Sequence, residues 1–319
     1  MRNLIRKKAI LLFILVLSLC LFVFGSGCAQ QERPGGEQKL KEEPTITLYI
    51  AETGEKKEIQ MEEYIKGVVA AEMTSTWPLD ALAAQAILAR TFTLEKIESD
   101  GGVPARGTDA SSNVEEFQAY DPSRINDRVS QAVDKTRGEV VKYQDKYIKA
   151  WFFADSGGVT AASAAEGLAY KKEPSPYIQS VKDPGFEITE EENKSWRAGI
   201  PLATVRESVR KTAGKDPGPV NSAQIAAKGP SGRVTSIKIN NVEVSGPAFR
   251  LAVGSEKMRS TLLTGFRING KSLIITGKGF GHGVGMSQWG ARALAEQGKS
   301  PEEIIKYFFK QVEIVKEWE

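Results

Sequence analysis

The spacing of apolar residues divides the chain into a helical first third and a β-rich remainder. Thr45–Ile50 (TITLYI) alternates and is rich in β-branched residues, which predicts a strand. Over Gln60–Met73 the apolar Met61, Tyr64, Ile65, Val68 and Val69 recur at helical spacing and form one buried stripe. Trp77-Pro78 interrupts the pattern. Leu79–Ile97 restarts it as a long Ala-rich helix led in by Pro78, whose small side chains let another backbone approach closely. Residues 99–113, rich in Gly, Ser and Asp, read as a loop. Beyond Gly138, strands at Glu139–Tyr143 and Tyr147–Phe153 flank Gln144-Asp145-Lys146 as a hairpin. A polar insert with several Pro follows, at about 171–230, with a helix at Leu202–Lys211. Arg233–Ile239 and Val242–Val244 flank Asn240-Asn241 as a second hairpin. Leu273–Thr276 is a further strand. Ser300-Pro301-Glu302-Glu303 has the layout of a capping box and opens a helix running to about Phe309. The fold class is α+β. One large domain is expected over 45–319, with a long Ala-rich helix near its start, β-hairpins in the middle, and a Gly-rich loop followed by a C-terminal helix.

The start of the chain breaks this pattern. Arg2, Arg6, Lys7 and Lys8 precede an almost unbroken apolar run from Ala9 to Phe24, the layout of a secretion signal. Gly25-Ser26-Gly27-Cys28 resembles the processing site of bacterial lipoproteins, in which the Cys is acylated, although Gly25 departs from the usual Leu, Val or Ile. Lipidation at Cys28 and an uncleaved membrane anchor are the two readings. Both place the remainder outside the cytoplasmic membrane. Residues 29–44 are polar and rich in Gly, Pro and charge, as in a flexible tether.

Composition narrows the chemistry. Of 319 residues, 41% are hydrophobic and 26% charged, an ordinary globular mix. Removing residues 1–27 leaves 39 basic side chains against 40 acidic ones, too even a balance to suggest a nucleic-acid binder. One His and two Cys exclude zinc fingers, iron–sulfur clusters and disulfide scaffolds. Glu72 then stands out, in the apolar run Val-Val-Ala-Ala-Glu-Met near a helix end. Desolvation and the negative end of the helix dipole would both raise its pKa, as suits a general acid; a solvated Glu at a helix terminus is the plainer reading. The segment 279–290 (GFGHGVGMSQWG) holds five Gly in twelve residues and the only His. It lacks the βαβ setting of a dinucleotide fingerprint. His282 is placed either to touch a substrate or to brace the loop. Ser287 has no recognisable triad around it. Asp155-Ser156-Gly157-Gly158 offers free backbone N–H groups to a groove, or forms a plain turn.

Taken together these segments resemble the sporulation stage II protein D (SpoIID/LytB) family. The resemblance is carried by Tyr64-Ile65-Lys66-Gly67-Val68-Val69-Ala70-Ala71-Glu72-Met73, Trp77-Pro78, the runs Ala81–Ala86 and Ala89–Phe92, and Gly281–Ala291. Gln118-Ala119-Tyr120, Ser156-Gly157-Gly158 and Gly232-Arg233-Val234 fall in the expected order between them. It covers about residues 45–315. It implies a peptidoglycan lytic transglycosylase that cleaves between N-acetylmuramic acid and N-acetylglucosamine and leaves a 1,6-anhydro end, with Glu72 catalytic. Gln85, Arg90, Tyr120, Ser156, His282 and Gln288 are then candidate substrate-binding residues, Gln85 and Arg90 being equally suited to holding their helix. The resemblance also implies peptidoglycan glycan strands as substrate, a stage II protein P-type amidase as partner, and action in engulfment or wall remodelling. The place of action would be the outer face of the cytoplasmic membrane, reached through the N-terminal anchor. A glycan-binding enhancer of an amidase, without catalysis, is the competing reading.

Two departures qualify the resemblance. Some members bind zinc through Cys and His just before Gln-Ala-Tyr, where this chain has Ser111 and Glu116, with Phe117 at a further Cys position. No metal and no cofactor are therefore expected. Phe153 stands where relatives often have a polar residue or His.

Overall fold

The computed structural model describes residues 41–319. The anchor expected over 1–28, with Cys28, and the tether up to residue 40 lie outside the described residues. Among the described residues no helix is long and apolar enough to cross a membrane. Residues 41–44, expected in the tether, are instead docked. The amide of Lys41 donates to the Glu317 carbonyl at 2.7 Å, that of Met61 to the Pro44 carbonyl at 3.0 Å, and that of Glu62 to the Glu43 carboxylate at 2.8 Å.

The architecture is α+β, and its buried apolar residues fall into two clusters. The first begins with the antiparallel pair β1 (Thr45–Tyr49) and β2 (Lys56–Gln60), which leads directly into α1 (Met61–Glu72). The apolar stripe of α1 is buried as its spacing predicts. Central to the cluster is α2 (Leu79–Asp100), in which every residue from Ala81 to Thr91 is buried. Six of these are Ala or Thr, so α1, the strand β4 described below and helices from the end of the chain all pack closely on it. Gly101, at φ 70°, ends α2 in a left-handed turn that returns amides to the carbonyls of Ile97 and Lys96. A two-residue strand β3 (Ala110–Ser111) runs parallel to β1, and α3 (Asp127–Lys135) is capped by the Asn126 side chain.

The first hairpin differs from expectation. β4 (Glu139–Tyr143) turns at Gln144 and Asp145, both at positive φ, into a β5 of only two residues (Lys146–Tyr147). Such a two-residue loop matches the natural strand twist. The chain then leaves that sheet, and β6 (Phe152–Phe153) pairs in parallel with a later strand. Only the first part of Tyr147–Phe153 is therefore hairpin.

The second cluster lies within residues 196–275 and extends past the stretch expected as an insert. β7 (Trp196–Pro201) enters it, and α4 (Leu202–Ala213) follows. β8 (Ala223–Lys228), β9 (Val234–Ile239) and β10 (Val242–Ser245) form one antiparallel sheet, with Asn240 at φ 50° in the predicted turn. After α5 (Gly246–Val253), β11 (Leu263–Asn269) and β12 (Ser272–Gly277) join β7 in the order β11-β12-β7. The chain then returns to the first cluster through the Gly-rich loop. It supplies β13 (Met286–Ser287), the partner of β6, then α6 (Gln288–Glu296), α7 (Pro301–Phe308) with its full capping box, and β14 (Glu313–Lys316) on β4.

Candidate active site

Glu72 is the last residue of α1, and three later segments converge on it. The Ala119 amide donates to Glu72 Oε1 at 2.9 Å. Gln288 Nε2, from the first turn of α6, donates to the Glu72 carbonyl at 3.1 Å, so the Gly-rich segment closes on this helix end. Arg124 donates to the neighbouring Ala71 carbonyl at 3.3 Å. Gln288 and Arg124 thus serve carbonyls that a helix C-terminus leaves unpaired. Among the described residues Oε2 of Glu72 has no hydrogen-bond partner, and the side chain is part-exposed. Burial raises the Glu72 pKa above that of an ordinary glutamate, and the Ala119 amide offsets this in part. A carboxyl with one oxygen fixed and the other open, biased toward its acid form, can give up a proton and take one back.

Tyr120 follows Ala119, whose amide holds this carboxyl. Its ring stacks on Tyr64 at 5.5 Å and covers Gly67, where a Cβ would come within 2.3 Å of the Tyr120 ring. Gly67 in the family motif is thus a seat for Tyr120. Tyr64 is wholly buried, and desolvation holds its hydroxyl neutral with the pKa far above its usual value. Past Glu72, Trp77 packs on Trp289 at 4.8 Å, with the Arg292 guanidinium 5.4 Å and 5.1 Å from the two rings. Sequence reasoning passed over this aromatic corner, although both Trp residues lie within the motifs. It also passed over Gln118, which is buried and donates to Thr93 Oγ1 at 3.1 Å, steadying the segment that carries Ala119.

The remaining candidates stand elsewhere. Arg90 faces the core. It is fully buried and holds Glu62 through Nε at 3.1 Å and Nη2 at 2.7 Å, with Nη1 on the Glu139 carbonyl at 2.8 Å. Every arm of its guanidinium is engaged, so it is unavailable to a ligand. Gln85 is fully buried and its amide has no partner among the described residues. Ser156 is buried in a turn. Its hydroxyl accepts from the Gly158 amide at 3.1 Å and its carbonyl from Arg233 at 2.7 Å. His282 braces the loop: its Nδ1 accepts from the Val284 amide at 3.1 Å and its ring packs on Phe153 at 5.4 Å. Burial, reinforced by the Arg250 guanidinium, lowers its pKa to about 3, so the ring is neutral. Ser111 donates to Glu116 at 2.9 Å and Arg106 pairs with the same carboxylate, so Ser111 and Glu116 are joined by a hydrogen bond and Glu116 is held further by an ion pair.

The profile of the stage II sporulation protein family, SpoIID, matches residues 49–143, and that of a domain of unknown function matches 179–285. The chain is 33% identical to stage II sporulation protein D of Bacillus amyloliquefaciens over 89% of its own length and 83% of the relative's. It is 30% identical to stage II sporulation protein D of Bacillus subtilis strain 168, over 88% and 81%. An amidase enhancer of the same strain is 29% identical over 77% of this chain and 39% of that protein. The chain belongs to the SpoIID family of stage II sporulation proteins.

Proposed function

We propose that the chain is a membrane-anchored peptidoglycan lytic transglycosylase that acts on glycan strands at the cell envelope in sporulation or wall remodelling. The reading is carried by Glu72, a carboxyl with a raised pKa, one oxygen held by the Ala119 amide and the other without a hydrogen-bond partner among the described residues. Most glycosidases need two carboxylates. Here the C6 hydroxyl of N-acetylmuramic acid is the nucleophile, so one suffices. Glu72 protonates the bridging oxygen as its bond to C1 breaks, and N-acetylglucosamine leaves with a free hydroxyl. The C6 oxygen then bonds to C1 and returns its proton to the Glu72 carboxylate. No water is consumed, and the product carries a 1,6-anhydro end. Gln288, bonded to the Glu72 carbonyl, and Tyr120, which follows Ala119, are the positioning residues of the proposal.

A second reading draws on the amidase enhancer among the relatives: a glycan-binding partner of a stage II protein P-type amidase, without cleavage of its own. The two separate in one experiment. The chain and its Glu72→Gln variant are incubated with glycan strands freed of stem peptides, and products are weighed by mass spectrometry. The transglycosylase reading expects products one water lighter than hydrolytic ones, and at least about a thousandfold less product from the variant. Intact glycan binding with no cleavage by the wild-type chain gives the second reading instead. Because burial raises the Glu72 pKa, cleavage should persist to higher pH than for an ordinary Glu and then fall as the acid form is lost.

A further inference from the structure

Two cavities of about 480 and 510 Å³ lie side by side over the C-terminal half of α2. They share Glu95, Ser99, Lys149 and Glu173 and so form one groove, and Glu72 lines neither of them. The floor is α2, and the walls are the β4–β5 hairpin and the segment 168–177. Aromatic side chains stand at both ends. Tyr143, Tyr147 and Tyr177 line one cavity, and Phe92, Trp151 and Tyr170 the other. The Tyr143 and Tyr177 rings meet at 5.6 Å, and those of Trp151 and Tyr170 meet edge-on at 5.1 Å. All of them except Tyr177 are only half-buried, which leaves ring surface to a ligand.

The ionic groups of the groove satisfy one another. Lys149 bridges Glu95 and Glu173, Lys96 pairs with Asp100, and Arg106 takes Glu116. The Tyr170 hydroxyl donates to Glu173 at 2.7 Å, and that of Tyr177 accepts from the Lys149 amide at 2.9 Å. Of the charged side chains that line the groove, Glu98, Lys146 and Lys172 alone have no ion-pair partner among the described residues. These three are of mixed sign and make a poor site for an ionic ligand. What the groove offers is aromatic surface bordered by hydrogen-bonding groups, a lining suited to an uncharged polar ligand. One wall is also preformed. Pro174 and Pro176 restrict its backbone, and the Lys310 amide ties it down by donating to the Tyr177 carbonyl at 2.9 Å. Little order then has to be created on binding.

We propose that this groove is a second, non-catalytic glycan site, which holds a run of β-1,4-linked N-acetylhexosamine residues by their ring faces. The choice of ligand rests on the peptidoglycan reading given above. The C–H faces of the pyranose rings pack on the Tyr and Trp rings, while hydroxyl and acetamido groups reach the polar edges. Each cavity has room for about one disaccharide. A strand offers these faces whatever its lactyl groups carry, so the groove reads the sugar backbone alone. It meets the catalytic region at one point. Phe92 packs edge-on against Phe117 at 5.2 Å, two residues before the Ala119 amide that holds Glu72. A strand gripped here is kept close to Glu72 between cuts.

The test uses the full chain in detergent, carrying Glu72→Gln. The probe is the hexamer of β-1,4-linked N-acetylglucosamine, which has no charge and no lactyl group. Hydrogen exchange with and without the hexamer should show new protection at residues 146–151 and 168–177. Trp151→Ala and Tyr147→Ala should each weaken hexamer binding by at least about fivefold. Affinity should change by less than about twofold on raising salt to about 0.5 M, because no ion pair is formed with the ligand. Absence of hexamer binding overturns the proposal. So does protection confined to residues 69–77 and 286–292 around Glu72, a result that does not depend on how any groove variant folds. A lysine-rich peptide that binds more tightly than the hexamer, and is lost both in high salt and in Trp151→Ala, assigns the groove to a protein partner and also overturns it. Cleavage of glycan strands by the wild-type chain is scored separately. Protection of the groove without cleavage sinks only the transglycosylase reading, and cleavage without protection of the groove sinks only this one.

Discussion

The two apolar clusters of this protein are built by different means. The first is organised around α2, a helix buried on nearly all sides, with the charged pair Arg90–Glu62 sealed inside. The second is a pair of small sheets and two helices, and most of its charged groups are left in solvent. Its one deeply buried cation other than Arg250, Arg233, looks outward to the first cluster, binding the carbonyls of Ser156 and Val159. The first region spends its ions on holding itself together and the second keeps them free. A charged residue near a motif is therefore no guide to ligand binding until its burial is known.

The largest test of this contrast is Arg90→Ala. It would strand the Glu62 carboxylate, which otherwise takes two arms of Arg90, the Gly138 amide at 3.0 Å and the Trp318 indole at 2.9 Å. Breaking a buried pair in this way should cost about 3–5 kcal/mol in chemical denaturation. A loss below about 1 kcal/mol would mean that the pair is not buried as described. The second test lies at the junction. Asp155 is buried beside Asp183, and desolvation raises its pKa to about 6. Its folded pKa exceeds the unfolded one, so the native state binds the extra proton and is favoured at low pH. Stability from this group falls as pH rises from about 4 to 6, by about 3 kcal/mol in all. His282, with its pKa lowered to about 3, slopes the other way over the same range, so only a difference isolates either group. Asp155→Asn should remove the acid-favouring slope. Parallel pH–stability curves for wild type and variant would refute the assignment.

A smaller effect is expected at Gly67. An added methyl at Gly67→Ala meets the Tyr120 ring, so the stack on Tyr64 must open. About 1–3 kcal/mol of stability should be lost. Strand cleavage should fall further than that loss explains, since Tyr120 adjoins the amide that holds Glu72. Unchanged cleavage would detach Tyr120 from the positioning of Glu72.

Legibility followed the same division. In the first cluster α1, α2 and α7 were readable, from an apolar stripe at helical spacing, an Ala-rich run led in by Pro78 and the Ser300 box, while the nine-residue α3 and α6 were not read. The strands β7, β8 and β11 were not read either, because each is largely half-exposed or exposed and carries polar and Gly residues among its apolar ones, so it reads as polar loop. At the site, Glu72 was visible as a carboxyl in an apolar run. Gln288 was named as a candidate, but its partner, the Glu72 carbonyl, lies 216 residues away and no local pattern announces it. Arg90 misled for a related reason: its place in a motif marks a constraint, and the constraint is packing.

The mildest change tests whether the two clusters open independently. Asn240 sits at φ 50° in the β9–β10 turn and its side chain ties together the loop before β8. Its Oδ1 accepts from the amides of Asn221 and Ser222, both at 3.0 Å, and its Nδ2 donates to the carbonyls of Pro217 and Pro219. Asn240→Ala removes all four bonds and places a methyl-bearing residue at positive φ. The turn is part-exposed, so water replaces some of what is lost, and a cost of about 1–2 kcal/mol follows. If the second cluster is its own cooperative unit, hydrogen exchange should quicken in β8, β9 and β10 while α1 and α2 stay as protected as before. A uniform loss of protection across both clusters would show that contacts such as those of Arg233 with Ser156 and Val159 weld them into one cooperative unit.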